Sequence, residues 1–371
     1  MASIRQVNKR YKATVSKRID GKLKQISKTF DTMREARLWA SRIEAEQSLG
    51  AIKASKNIIF SDYFKEWYTT YKAPKIAPIT LSRYRAFHKI VENELHGVTL
   101  AKMNRTKYQQ FINHYGATHS KNTVQQLHSM IRACVRSALL DEVITKDFTK
   151  GIEMIYNPDK EHKVEYLEYD ELVKLTNVTV SKLNPNFTSR YIILTAIYTG
   201  ARIGEILALT WNDIDFENNT ISINKSWDYH FGTGFKPTKT PTSIRTISVS
   251  PLLLDWIKDL QANNNEMVFA NRRGTIPTPT AVNKTLRKLL KECGLHKKNF
   301  HFHSLRHTHV AYLLYQGVDI YVISRRLGHS DISMTVKRYA YLLDKHSEKE
   351  SDKINNALDQ LVNKKISLNK D

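Results

Sequence analysis

Apolar and polar positions alternate with two different periods along this chain. Near the N-terminus, Tyr11-Lys12-Ala13-Thr14-Val15 and Gln25-Ile26-Ser27-Lys28-Thr29-Phe30 alternate as half-buried strands do, and Asp20-Gly21 between them signals a hairpin turn. A further strand around Ile4 to Val7 completes a predicted three-stranded sheet. Thr32-Met33-Arg34-Glu35 is a capping box, which predicts a helix running to Leu49 with Gly50 past its end. From residue 57 the apolar spacing changes to three and four. Ser61 is placed to cap a helix carrying Phe64, Trp67, Tyr68 and Tyr71. Thr80 precedes one with Leu81, Tyr84, Phe87, Val91 and Leu95. Tyr108, Phe111, Ile112 and Tyr115 mark a third, and Asn122 precedes a fourth with Val124, Leu127, Ile131, Val135 and Leu139. One-sided spacing of this kind assigns the aromatics to a bundle core.

Glu153 to Val164, with Asn157-Pro158 and alternating charges, reads as a linker. Beyond it the pattern becomes mixed. The apolar run from Tyr191 to Tyr198 predicts a buried helix, leading through Thr199-Gly200 into a second helical stretch. Strand-like Thr220 to Asn224 and Arg245 to Val249 surround a Gly/Pro/Thr-rich loop, and several helices follow to Leu343. The polar end, Ser347 to Asp371, carries Ile354, Leu358 and Leu361 at helical spacing. The predicted fold class is therefore multidomain and mainly α with small β-sheets. A three-stranded sheet plus helix spans 1–56, a helical bundle 57–160, and a mixed α+β domain 161–371 with a tail from about 344.

Charge adds a partner. The net charge is +22, and residues 1–56 alone hold 14 basic and 5 acidic residues. Such a field attracts polyanions and releases their counterions on binding. Nucleic acid leads, although binding to the ribosome or to an anionic membrane surface would demand similar charge. The sheet of 1–56 is then a candidate DNA-reading surface. Cys134 and Cys293 lie far apart, without metal-ligand spacing, and read as buried free thiols of a reducing compartment. The N-terminus has no signal-peptide apolar core, and the Tyr191–Tyr198 run is too short to span a bilayer. The expected location is the cytoplasm of a bacterial cell, with the nucleoid and not the membrane.

Four short stretches carry candidate chemistry. In Tyr198-Thr-Gly-Ala-Arg202-Ile-Gly-Glu205, the Arg and Glu are three apart and neighbours on a helix. A surface ion pair is the ordinary fate of such residues. Here the flanking sequence is apolar, and a buried Arg needs an anion. Lys236-Pro-Thr-Lys239 sits in a predicted hairpin, where a Lys is usually solvated. His301-Phe-His303-Ser-Leu-Arg306-His307-Thr-His309 holds four histidines, which invites a metal reading. No Cys or acidic ligand lies near, and His303 with Arg306 can instead face one anion. In Leu327-Gly-His329 through Tyr339-Ala-Tyr341, Gly328 ends one helix, His329 sits on the turn and Tyr339 falls on the next helix.

Each stretch alone is weak; the order is specific. Arg-x-x-Glu, a loop Lys, His-x-x-Arg, Leu-Gly-His and a Tyr ten residues later together resemble the tyrosine recombinases of the lambda-integrase family, over about 165–343. Upstream, the likeness extends to a helical core-DNA-binding domain and a basic arm-binding module of phage and conjugative-transposon integrases. Metal-free cleavage of DNA needs a nucleophile, charge stabilisation and a leaving-group acid. A phenol ionises near about pH 10, so neighbouring cations must assist it. Arginine forks can grip the phosphate and stabilise the transition state where other enzymes place metals.

The resemblance implies that Arg202 and Arg306 bind the scissile phosphate and Lys239 protonates the departing 5′ hydroxyl. His303 then assists proton transfer from the tyrosine, His329 hydrogen-bonds the phosphate, and Glu205 supports the first arginine or a nearby histidine. Tyr339 becomes a 3′-phosphotyrosine, which conserves bond energy so that rejoining needs no ATP. Neither metal nor cofactor is implied. The family often has His two residues after the nucleophile, where this chain has a second phenol, Tyr341; Lys236 is the rival to Lys239. Implied partners are double-stranded core-type and arm-type attachment sites, three further copies of the chain in a tetrameric synapse, an excision factor and a host DNA-bending protein. The implied shape is a clamp around DNA, with residues 352–363 packing on a neighbouring protomer. Two other functions fit parts of the pattern. One is a catalytically silent DNA-binding regulator. The other is a metal-dependent nuclease built on His301–His309.

Overall fold

The computed structural model describes residues 3–8, 10–19, 22–55, 58–161, 164–333, 335, 336, 338, 339, 355, 356, 358 and 359. The chain forms two compact units, Met1–Glu161 and His162–Asp371.

The first unit begins with an antiparallel sheet in the order β1 (Ser3–Val7), β2 (Arg10–Ile19) and β3 (Lys22–Phe30). Ile19 pairs with Lys22 at the β2–β3 end, and the predicted Asp20-Gly21 turn itself lies outside the described residues. Ala13 and Val15 point inward from β2 onto Ala36 and Ala40 of the helix α1 (Met33–Ser55), where small side chains allow close approach. The capping box forms: Glu35 N donates to Thr32 Oγ1 and Thr32 N to Glu35 Oε2, both at 3.3 Å. The expected stop at Gly50 does not occur, and α1 continues to Ser55. Gly costs a helix interior only about 1 kcal/mol, and Ala51-Ile52-Lys53-Ala54 beyond it contains no breaker.

Four helices follow, α2 (Phe60–Tyr71), α3 (Pro78–Glu94), α4 (Arg105–Gly116) and α5 (Lys121–Leu140). Their starts differ slightly from expectation. Ile59 occupies the cap of α2, which leaves Ser61 buried inside the first turn. Pro78 opens α3 two residues before Thr80, because its missing N–H is unneeded there. Phe64, Trp67, Tyr84, Phe87, Tyr108 and Phe111 are core, as the spacing requires, whereas Tyr71 is exposed.

The second unit contains α6 (Tyr169–Val180), α7 (Ser189–Thr199), α8 (Ile203–Leu207), β4 (Ile214–Asp215) and β5 (Thr220–Ile223). Then come β6 (Ser226–Asp228), β7 (Gly234–Lys236), β8 (Arg245–Ser248), α9 (Pro251–Lys258), α10 (Pro279–Glu292), α11 (Phe302–Tyr315) and α12 (Ile320–Leu327). Helix α7 is apolar all round because α6, α9, α10 and α11 surround it. Its hydroxyls are satisfied within the helix, Thr195 by Tyr191 O and Thr199 by Thr195 O. The strands form a β4-β5-β8 sheet and a separate β6-β7 pair. Lys239 therefore lies beyond the β6-β7 hairpin, in the link from β7 to β8, and not at a hairpin tip. Cys134 is buried; Cys293, expected to be buried too, is half-exposed as the cap residue after α10. Among the described residues no helix is long and apolar enough to cross a membrane. Tyr341, Ile354 and Leu361 lie outside the described residues; Leu358 is helical and exposed.

Candidate active site

Arg202, Glu205, His303, Arg306 and His329 gather at the ends of α7, α8, α11 and α12. Helix α7 stops at Gly200, whose φ is +64°. A Cβ there would stand 2.6 Å from His309 Cδ2 and 2.9 Å from Leu327 Cδ2, so both the left-handed backbone and the lack of space demand glycine. The tight turn offers the Gly200 carbonyl to Arg306 Nη1 at 2.7 Å.

Arg202 caps α8. Its backbone N–H donates to Glu205 Oε2 at 3.0 Å and its Nη1 to Oε1 at 2.7 Å. Glu205 is only 3% exposed and also receives Arg245 Nη2 at 3.0 Å. Arg245 is fixed in turn by Arg326 O at 2.6 Å and Ser243 O at 2.7 Å. Burial pulls the Glu205 ionisation upward, but Arg245, Arg202 and the hydrogen bonds from Arg202 outweigh it and hold the carboxylate below its usual range. The Arg202–Glu205 pair read from sequence is thus part of a buried Arg-Glu-Arg triad.

Arg306 is buried, with Nη2 donating to Leu327 O at 2.8 Å and to His329 Nε2 at 2.9 Å. A guanidinium only donates, so His329 Nε2 accepts. The His329 proton then sits on Nδ1 and is donated to Thr335 Oγ1 at 2.7 Å. Burial, followed by Arg306 and Arg202, pushes His329 down to about 4, which leaves it neutral. His303 is half-buried and likewise pushed down to about 4 by burial, Arg306 and Arg338.

Tyr339 is helical and 2% exposed, packed among Val310, Ala311, Leu314, Ile323 and Leu327. Its hydroxyl meets His307 Nδ1 at 2.5 Å. His303, the expected partner of that hydroxyl, instead stands edge-on to His307 with ring centroids 4.9 Å apart. Lys239 is exposed on a bend and makes no hydrogen bond or ion pair with this set among the described residues. Its loop is nevertheless fastened nearby. A Cβ at Gly328 would lie 3.0 Å from Ser243 Cα and 3.1 Å from Thr242 O. Lys236, the rival, is tied to Asp228 Oδ1 at 3.1 Å.

The histidine cluster divides between separate tasks. His309 Nδ1 donates to Ile197 O at 2.8 Å and its Nε2 accepts from Arg326 at 3.3 Å, while His301 donates to Asn299 O at 2.9 Å. Among the described residues no three His, Cys, Asp or Glu side chains are grouped to hold a metal. Sequence reasoning missed three participants. Arg245 opened the predicted strand Arg245 to Val249 and His307 stood one turn after His303; Arg326 carried no signal. Together Arg202, Arg245 and Arg306 outnumber the one carboxylate among them, an arrangement that suits an anion with several acceptor oxygens.

Residues 165–346 match the Phage integrase family, and residues 59–154 match the Phage integrase SAM-like domain. The chain is 25% identical over 331 residues to the integrase of Staphylococcus phage L54a, covering 81% of this chain and 93% of that protein. The Tn1549 transposon integrase in complex with transposon right-end DNA has the same fold, with a TM-score of 0.68 at 19% identity over 80% of this chain and 100% of that one. So does the lambda integrase tetramer bound to a Holliday junction, with a TM-score of 0.57 at 18% identity over 89% and 95%. The chain belongs to the phage integrase family, and it is a tyrosine recombinase, an enzyme that cleaves and rejoins DNA.

Proposed function

We propose that this recombinase integrates and excises a mobile DNA element at its attachment sites, through a 3′-phosphotyrosine formed by Tyr339. The observation that carries the reading is the Arg306 side chain, buried and shared among Gly200 O, Leu327 O and His329 Nε2, with Arg202 beside it. Protein groups orient the guanidinium before DNA arrives, and preorganised charge of this kind stabilises a transition state without reorganisation. In this scheme Arg202 and Arg306 grip the scissile phosphate. Glu205 positions Arg202. His329 adds a hydrogen bond once the phosphate's negative charge favours its protonated form, because then Nε2 gains a proton to donate. His303, edge-on to His307, assists the proton movements around Tyr339. Lys239 protonates the 5′ oxygen as it leaves, since its ammonium has no ion pair among the described residues whereas Lys236 is held by Asp228. Residues 57–160 bind core-type sites.

Residues 1–56 bind arm-type sites. Arg5 pairs with Lys12 across the sheet, and both, with Arg10, are exposed on it. Two addresses on one chain raise the effective concentration of each at the other. The working assembly is a tetramer, with an excision factor and a host DNA-bending protein as further partners. The phage and transposon relatives support a mobile element. The test uses nicked duplexes tiled across the ends of the DNA element that encodes the chain. A covalent protein–DNA adduct is expected in the presence of chelator and is absent from Tyr339→Phe. An adduct formed by that variant overturns the nucleophile assignment, and one that requires a divalent metal overturns the metal-free chemistry.

A further inference from the structure

We propose that His307 is a further catalytic residue of DNA cleavage: it holds the Tyr339 hydroxyl and takes its proton as the phenolic oxygen attacks phosphorus. This rests on Tyr339 being the nucleophile. The geometry begins on α11, where Arg306 and His307 are consecutive. Neighbouring helical residues point about 100° apart, so one backbone position feeds two tasks. Arg306 reaches the Gly200 turn and His329, while His307 reaches Tyr339 Oη at 2.5 Å. Both His307 and Tyr339 are buried, so the contact is shielded from competing water.

Charge leaves the imidazole neutral. Burial, followed by the nearby charges of His303, Arg338, Arg306 and His301, pushes His307 down to about 3. A neutral imidazole carries one proton and one lone pair. With Tyr339 as the donor, the lone pair is on Nδ1 and the proton on Nε2. No other described histidine is bonded to that hydroxyl.

An imidazole held this low is a weak base toward a phenol while the site is empty. A bound phosphodiester changes the balance. Its negative charge offsets Arg306 and Arg338, the cations that depress His307, and so raises the basicity of Nδ1. The base strengthens when substrate is present, which keeps the phenol protonated in its absence. In the forward step the Tyr339 Oη–P bond forms and the P–O5′ bond breaks. The phenolic proton passes to His307 Nδ1, and the 5′ oxygen receives a proton from the leaving-group acid, assigned above to Lys239. Rejoining runs the same transfers in reverse, with His307 returning the proton to Tyr339.

The test compares single-turnover adduct formation on a nicked duplex for the full chain, His307→Asn and His307→Ala. The Asn amide oxygen can accept the hydroxyl but cannot take its proton. Both variants are expected to bind the duplex normally and to form adduct slower by about 10²- to 10⁴-fold, the usual range for losing a general base. Trifluorotyrosine at position 339, a more acidic phenol, is expected to restore rate to His307→Asn more than it raises that of the parent chain. Adduct formation by His307→Asn at the parent rate overturns the proposal, as does faster cleavage, which would make the contact a latch. A loss indifferent to fluorination also overturns it. If the variants do not fold, nitrogen-15 spectra of the intact chain decide. An unprotonated His307 Nδ1 that shifts in Tyr339→Phe is expected, and a protonated Nδ1 overturns the proposal. Failure of the nucleophile reading is seen separately, as adduct formed by Tyr339→Phe.

Discussion

Replacing Glu205 by Gln removes one charge from the centre of the site while keeping the shape of the side chain. In the folded protein Glu205 is 3% exposed, and it joins Arg245, whose side chain is 7% exposed, to Arg202, at 28%. Breaking a buried ion pair from one side costs about 3–5 kcal/mol, because the remaining charge stays desolvated and uncompensated. Gln keeps one acceptor oxygen for an arginine, which places the expected loss near the lower end, about 3 kcal/mol. For a unit of this size each kcal/mol moves the midpoint by about 2–4 °C, so a fall of about 6–12 °C is expected. The effect should depend on pH in one direction. Folding lowers the Glu205 ionisation against the upward pull of burial, so the unfolded chain binds the proton more tightly. The carboxylate therefore contributes stability that is fully present above its ordinary value of 4.5 and is lost as pH falls through its lower folded value. Calorimetric scans of the full-length parent and Glu205→Gln between about pH 3 and 7 measure both features. Curves far apart at neutral pH should converge in acid. Equal midpoints at neutral pH, or a gap that stays constant into acid, would refute the argument that the triad is held by an ionised Glu205.

Three further outcomes rest on the same geometry. Gly200→Ala should lose about 1–3 kcal/mol from its positive φ alone, and more from the clash with His309, with cleavage falling as the Gly200 carbonyl leaves Arg306; calorimetry and adduct formation read the two effects. Lys239→Ala should cleave ordinary DNA poorly but recover on a duplex with sulfur in the bridging 5′ position, because a thiolate leaves without an acid; Lys236→Ala should show no such recovery. Removing residues 1–56 takes away 14 of 58 basic residues. It should abolish binding to arm-type duplexes and lower the salt slope by about 0.9 for each phosphate no longer neutralised, while adduct formation at core sites persists.

Much of this was legible in the sequence because it depends on local periodicity. The three strands, the capping box at Thr32, the aromatic faces of the bundle and the apolar α7 all follow from neighbours within a few residues. The Arg202–Glu205 contact was equally accessible, since a spacing of three on one helix turn nearly determines it. Where local signals were balanced, packing decided. Gly50 did not end α1, and Cys293 remained half-exposed. The register of the motifs also singled out candidate site residues, but not how they divide the work. Arg306, His307 and His309 stand within one helical turn of each other, yet their partners are 17 to 112 residues away, and no pattern within the stretch tells them apart. Only the tertiary structure turned His307 to Tyr339, His309 to the α7 carbonyl and Arg306 to Gly200 and His329. The sequence by itself determined the elements and the inventory of charged groups, because those are set by spacing and composition. The folded chain decided the pairing, because hydrogen bonds have to be satisfied within a few ångströms in space, whatever their separation along the backbone.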